Sequence, residues 1–351
     1  MLEEPGDQVV LGTRLDRIVD DRLRSRIVVT GSISSMVGHG HLRSGPSARQ
    51  VPGRGSPASS RIRAMHVAHP GHNGFMPIDT TTDPDDPRLE DFRDIRDRDS
   101  RGPDGRPGIF IGEQTLVVEK MLSRPELVRR ILVADSKRPW LERVLADSGG
   151  PEVQCLVAPM SVLEKVAGFP IHRGVIASGN RGPLDGRTIE EIVPPLGRPA
   201  TLLVLESIRN IDNIGMLFRV AAAFGVDGVI LSSDCHDPLY RKSLRVSIGH
   251  ALAIPFARCS DAARDLKRLV DDHDIQLIGA SVGEGAMAPE MLENRSRIGL
   301  VMGSEFDGIS DATAAICDGL VRIRMAAGVD SLNVSVAAAV LLDRFSSAPR
   351  S

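Results

Sequence analysis

Apolar residues along the chain fall into short runs separated by helical patterns, and the runs form two blocks. In the first, IFI (Ile109–Ile111), ILVAD (Ile131–Asp135), VQCLV (Val153–Val157) and GVIAS (Gly174–Ser178) predict strands. Helices fit between them at Glu113–Leu122, Arg138–Asp147 and Ser161–Val166, the last with Ser161 as N-cap and Glu164 at the third position. This spacing predicts a compact α/β unit of roughly 70 residues. In the second block the runs are longer and apolar throughout: TLLVLE (Thr201–Glu206), GVILS (Gly228–Ser232), IQLIGAS (Ile275–Ser281), IGLVMG (Ile298–Gly303) and LVRIRM (Leu320–Met325). Unbroken apolar runs suit strands covered on both faces, so a mostly parallel sheet flanked by helices is expected. A helix of small and apolar residues, SLNVSVAAAVLLDRF from Ser331, closes the block. A polar stretch with Gly and Pro (Asn180–Gly186), then Pro194, Pro195 and Pro199, marks a linker between the blocks.

Upstream the pattern fades. Leu89, Phe92 and Ile95, three residues apart among many charges, predict a short surface helix stopped by the Gly/Pro run Gly102–Gly108. Residues 1–83 show no period. Val28–Ala64 holds five arginines and no acid, Ser, Gly and Pro fill most of the rest, and five of the nine histidines lie before residue 84. Such a segment buries too little apolar surface to offset its ordering entropy, so disorder is expected. It fits an organelle transit peptide, an arm tracking RNA phosphates, or an idle tail or start-site artefact with the true start at Met65 or Met76. The last is favoured because nothing in it repeats. The expected division is therefore 1–83 tail, 84–180 substrate-binding unit, 181–199 linker and 200–347 principal domain.

Composition adjusts this picture in three places. Across 351 residues, 43 Lys+Arg oppose 46 Asp+Glu, a formal charge of -3 that excludes a strongly cationic nucleic-acid binder but not a local basic groove. No run approaches the roughly 18 apolar residues of a membrane span. Cys155, Cys235, Cys259 and Cys317 are far apart with no CxxC spacing, which predicts reduced, mostly buried thiols of a cytoplasmic protein and neither a metal cluster nor a disulfide framework.

Ligands of parallel sheets bind beyond the carboxyl ends of the strands, so the polar residues there are the candidates. After Glu206, Asn210 and Asn213 are expected in a turn, Gly215 opens a helix, and Arg219 is the one charge among apolar residues of that helix. An arginine so placed needs a partner or a polar cleft, or else it snorkels at the helix edge. After Met302, Gly303 and Gly308 allow close backbone approach and Glu305 can accept hydrogen bonds. Near the last strand, Ser331 and Asn333 are either caps or site residues. GEGAMA (Gly283–Ala288) matches the GxGxxA dinucleotide fingerprint, with Glu305 about twenty residues on, which keeps a dinucleotide-binding oxidoreductase as a minor alternative.

Together the post-strand segments resemble the SpoU family of RNA ribose methyltransferases, within the larger SPOUT class. The first motif is Asn213, Gly215 and Arg219; the second is Gly303, Ser304, Glu305 and Gly308; the third is Ser331, Leu332, Asn333, Val334 and Ser335. An intermediate Arg-x-Ser-x-Gly fits Arg245, Ser247 and Gly249. Asn210-Ile211 stands where Asp-Pro is common, and Arg324 where the third motif usually has Pro before Met. The resemblance implies a trefoil-knotted, mostly parallel α/β sheet with a smaller N-terminal α/β substrate-binding domain. It implies methyl transfer from S-adenosylmethionine, without a metal, to a ribose 2′-OH of RNA, ribosomal RNA being favoured over transfer RNA. Arg219, Asn213, Glu305, Ser331 and Asn333 would be catalytic, while Gly303, Ser304, Glu305, Gly308, Ile323, Met325 and Leu332 would hold the cofactor. A homodimer through the knotted domain is implied, suited by the small-residue helix Val334–Ala339. A non-catalytic RNA-binding paralogue of the same fold is the alternative, which the intact Arg219, Glu305, Ser331 and Asn333 oppose. For RNA binding, residues 101–182 carry 12 Lys+Arg against 9 Asp+Glu, and Arg129, Arg130, Lys137 and Arg138, with Arg245, are the candidates to meet phosphates. Aromatics at 3% argue against base stacking and for handling of ribose and phosphate.

Overall fold

The computed structural model describes residues 78–93, 95, 108–148, 152–171, 173–283, 285–293 and 295–346. Residues 1–77 of the expected tail and most of the Gly102–Gly108 run lie outside them.

Five strands build the first sheet: β1 (Ile78–Thr80), β2 (Ile109–Glu113), β3 (Val128–Ala134), β4 (Gln154–Ala158) and β5 (Val175–Asn180), in the order β1-β4-β3-β5-β2. Both β1 and β3 run parallel to β4, whereas β5 runs antiparallel to β3 and β2. Helices α1 (Thr115–Leu122), α2 (Arg138–Asp147) and α3 (Met160–Ala167) lie between the strands. The α3 cap differs from expectation: Pro159 holds the N-cap position without a side-chain hydrogen bond, and Ser161 is already helical. β1 was hidden because its partner Cys155 is 77 residues away; it takes Ile78–Thr80 out of the expected tail and into a sheet.

After the short helix α4 (Ile189–Ile192), the second sheet comprises β6 (Ala200–Leu205), β7 (Gly228–Leu231), β8 (Phe256–Arg258), β9 (Gln276–Ala280), β10 (Arg297–Met302) and β11 (Gly319–Val321). Its order is β11-β9-β10-β6-β7-β8 and every pairing is parallel. The α/β class with a mostly parallel sheet therefore holds. Helices α5 (Ile211–Ala223), α6 (Arg241–Val246), α7 (Ala262–Asp271), α8 (Asp311–Ala314) and α9 (Val334–Phe345) complete the block. β6 and β10 are buried along their whole length, the result expected of apolar strands covered on both faces.

Three expectations shift. Asn213 is not in a turn: α5 starts at Ile211, capped by Asn210, whose side chain accepts from the N–H groups of Asp212 and Asn213. α9 starts at Val334 instead of Ser331, with the Asn333 side chain accepting from Ser335 N–H. β11 ends at Val321, so Arg322–Met325 leave the sheet. The helix demanded by the dinucleotide reading is absent from the described residues of 281–288, where Met287 makes only an isolated bridge to Val321.

Buried guanidinium groups fix the chain between and around the sheets. Arg297, 5% exposed, donates to the carbonyls of Pro194, Pro195, Arg198 and His273, gathering the proline linker onto β10. Arg181 bridges Asp185 and Asp237, both at 2.8 Å. Glu113, at the end of β2 and 1% exposed, receives Arg241 at 2.7 Å and Arg245 at 3.4 Å from α6. Buried charges persist only when paired in this way.

Candidate active site

Gly215 makes the approach of α5 and α6 possible. A Cβ there would lie 2.6 Å from the Val246 Cβ and 2.8 Å from the Ser243 carbonyl oxygen. The Arg-x-Ser-x-Gly segment ends α6: Ser247 is fully buried and donates to the Leu244 carbonyl, and the chain reverses through positive φ at Ile248 and Gly249. Gly215 thus lets α5 and α6 pack closely, and Ser247, Ile248 and Gly249 end α6.

Beyond β10, Ser304 and Gly308 exchange backbone hydrogen bonds, both 3.1 Å, closing a tight loop. Gly308 has φ +68, and a Cβ on Gly303 would collide with the backbone of Gly308 and Ile309. Glu206, which the sequence did not single out, ties this loop to β6: its carboxylate accepts from Ser310 N–H and the Thr313 hydroxyl, both at 3.1 Å.

The loop, the ends of β9 and β11 and the start of α9 enclose a cavity of about 350 Å³, a size typical of small-molecule sites. Gly303, Ser304, Glu305, Gly308, Ile323, Met325 and Leu332 all line it, as does Ser331. Ser281 and Leu341 also line it, and these the sequence did not mark as site residues. The donor set of backbone groups and hydroxyls between aliphatic walls fits an amphiphilic nucleoside cofactor.

Asn213 stands at the rim and joins all three motifs. Its amide donates to the Glu305 carboxylate and accepts from Asn333 Nδ2 at 2.9 Å. Asn333 Oδ1 in turn accepts from the N–H and hydroxyl of Ser335. Both ends of the Asn213 amide are thus engaged, one of them with the Glu305 carboxylate. Arg219 is not part of this network. It lies exposed on α5 with no ion pair or hydrogen bond among the described residues, so it takes the helix-edge placement and not a buried pairing. Burial, then the nearby charges of Lys120 and Arg219, hold His250 below the usual histidine range.

The candidate phosphate contacts divide. Arg129 and Arg130 both reach Asp91, at 3.0 and 2.9 Å, and Asp91 is 6% exposed. Arg138 pairs with Glu142 at 3.5 Å, Arg245 with Glu113, and Lys137 has no partner among the described residues. Burial opposes ionisation of Asp91, but the Arg129 and Ser178 hydrogen bonds and the two guanidinium charges outweigh it and hold its carboxyl below the usual carboxylate range. Asp91 then adds stability at and above its unfolded pKa, and this is lost as pH falls through the lower folded value. Asp91→Asn is expected to cost about 3 kcal/mol at pH 7 and to flatten the acid limb of a stability–pH curve; an unchanged limb in chemical denaturation overturns this assignment.

The four cysteines are free, and burial pushes the Cys155, Cys259 and Cys317 thiols up to about 12. Among the described residues, no helix is long and apolar enough to cross a membrane and no cluster of metal-binding side chains occurs.

Comparison with known proteins places these features in a wider set. The model of the SpoU rRNA Methylase family matches residues 200–343. An uncharacterised tRNA/rRNA methyltransferase of Mycobacterium tuberculosis is 37% identical over 273 residues, covering 77% of this chain and 92% of that protein. A 23S rRNA (guanosine-2′-O-)-methyltransferase of Bordetella pertussis is 33% identical over 231 residues, 64% of this chain and 91% of its own. The SpoU methyltransferase AviRb of Streptomyces viridochromogenes, solved with its cofactor AdoMet, superposes with a TM-score of 0.61 at 22% identity, covering 74% of this chain and 96% of that one; at that identity it speaks for the fold.

Proposed function

The chain belongs to the SpoU family of rRNA methylases, and from that premise we propose that it transfers a methyl group from S-adenosylmethionine to a ribose 2′-OH of ribosomal RNA. The observation that carries this reading is the cavity beyond β10: all seven residues expected to hold the cofactor line it, and Asn213 ties its rim to the other two motifs. When bound, S-adenosylmethionine supplies an electrophilic methyl on a sulfonium.

The protein's own work is then to align the hydroxyl, stabilise the charge that grows on it and exclude water. Gly303 and the Ser304–Gly308 loop give backbone groups close approach, and Ile323, Met325 and Leu332 supply apolar walls. Glu305, fixed by Asn213 and Asn333, and Ser331 hold the acceptor side. Arg219 clamps the substrate phosphate and stabilises the developing alkoxide, because a guanidinium titrating above about 12 is a poor proton acceptor at neutral pH.

Within one chain Arg219 stands off this cavity, which favours pairing of two copies in the cytoplasm. Met216 on α5 and Val336 and Val340 on α9 are 38%, 51% and 46% exposed, an apolar surface on the two packed helices that a second copy would cover. Residues 84–180 would present the RNA, with Lys137 the candidate phosphate contact left unpaired by the fold.

Mapping 2′-O-methyl groups in total RNA from a strain lacking the gene tests the reading. A ribosomal ribose should lose its methyl and regain it when purified protein and S-adenosylmethionine are added. Unchanged maps with no transfer in vitro would overturn it.

A further inference from the structure

A second cavity, about 480 Å³, adjoins the cofactor cavity and shares Val282, Ile323 and Met325 with it. The shared wall is the extended segment that leaves β11. Along it the side chains alternate: Ile323 and Met325 line both cavities, whereas Arg322 and Arg324 line the second alone. Both arginines are exposed, and neither has an ion pair or hydrogen bond through its guanidinium among the described residues. Asp330 is the one carboxylate on the described lining, and it does not come within ion-pair distance of either. Two unneutralised guanidinium groups on one wall repel each other unless an anion sits between them, and their planar forks match a phosphate's paired oxygens.

We propose that this cavity binds an RNA phosphodiester next to the methylated ribose, through Arg322 and Arg324. The inference rests on the methyl-transfer reading for its geometry: the carbon bearing a 2′-OH neighbours the one bearing the 3′-phosphate. Any site that receives that hydroxyl must therefore accommodate a phosphate close by. A cavity sharing a wall with the cofactor site, and carrying positive charge, meets this requirement. Arg324 occupies the position where the motif usually has Pro, so this is a contact added by the present sequence.

The test uses the full-length protein with Arg322→Gln and Arg324→Gln combined, and a control with both residues changed to Lys. Binding of a ribosomal RNA fragment is measured against salt concentration, and S-adenosylmethionine binding by calorimetry. The Gln variant should bind RNA about tenfold more weakly and lower the slope of log affinity against log salt by about 0.7, the share of one single-strand phosphate. The Lys variant should keep most of that slope, and donor affinity should stay within twofold in both. An unchanged RNA slope would overturn the proposal. So would a fall in donor affinity with RNA binding intact, which would assign the guanidinium groups to the donor's own carboxylate. Absence of methyl transfer by the wild-type protein would count against the enzymatic reading alone, since the salt slopes are measured without turnover.

Discussion

Arg219→Lys is expected to lower turnover on ribosomal RNA by about a hundred- to a thousandfold, the scale of losing one preorganised donor to a transition-state oxyanion. S-adenosylmethionine affinity and thermal stability should be unaffected. The separation follows from where the residue stands. Arg219 is exposed, lines no wall of the cofactor cavity and makes no ion pair among the described residues. The fold therefore does not depend on it. Lysine keeps the positive charge and helix propensity but replaces a planar fork with a point charge. Single-turnover rates at saturating RNA isolate the effect from binding. Near-normal rates would overturn the clamp and leave only charge as the requirement.

Gly303→Ala should weaken donor binding by about a hundredfold or more. The added methyl group would collide with the carbonyl carbon and oxygen of Gly308 and with Ile309 N, and backbone atoms cannot swing aside as a side chain can. The loop would have to break the paired hydrogen bonds between Ser304 and Gly308 and pull against the Glu206 anchor on Ser310 and Thr313. A cost on the order of 3 kcal/mol is expected, at the upper end for overpacking. Calorimetry should then show donor affinity reduced at least a hundredfold while the first sheet keeps its structure. Gly308→Ala offers a contrast: a Cβ there meets nothing within 4 Å, but φ +68 disfavours it, so a loss of about 1 kcal/mol is expected. Equal effects of the two substitutions would count against close packing as the role of Gly303.

What the sequence made legible was local. Apolar runs marked nine strands of the two sheets to within a few residues, and α2 matches its expected span of Arg138–Asp147. The three motifs were visible because each is a short stretch of sequence that follows a strand. The failures were of two kinds. Short edge strands such as β8, three residues long, carry too little pattern to stand out. Charge partners are illegible in the sequence where they are distant: Asp91 lies 38 residues from Arg129, and Glu113 lies 128 residues from Arg241. Of the basic cluster, Arg129 and Arg130 share the buried Asp91, whereas Arg138 pairs locally with Glu142 and Lys137 has no partner among the described residues. The expectation of a turn at Asn213 overlooks Asn210, followed by Asp212, an ordinary helix-capping signal three residues earlier.

The hydrogen bonds of Asn213 also bear on the order in which the molecule assembles. Its partners lie 92 and 120 residues further along the chain. Closing contacts of such separation is slow compared with forming a hairpin or a helix, since chain entropy must be lost before the contact repays it. The first sheet, whose strands all lie within residues 78–180, needs no such closure with the C-terminal segment. In a nascent or refolding chain Glu305, Asn213 and Asn333 meet only once the segments up to α9 have been brought together. Competence to hold a methyl donor arrives only with the last helix in place, so an unfinished chain presents no half-formed site to the cell's donor pool.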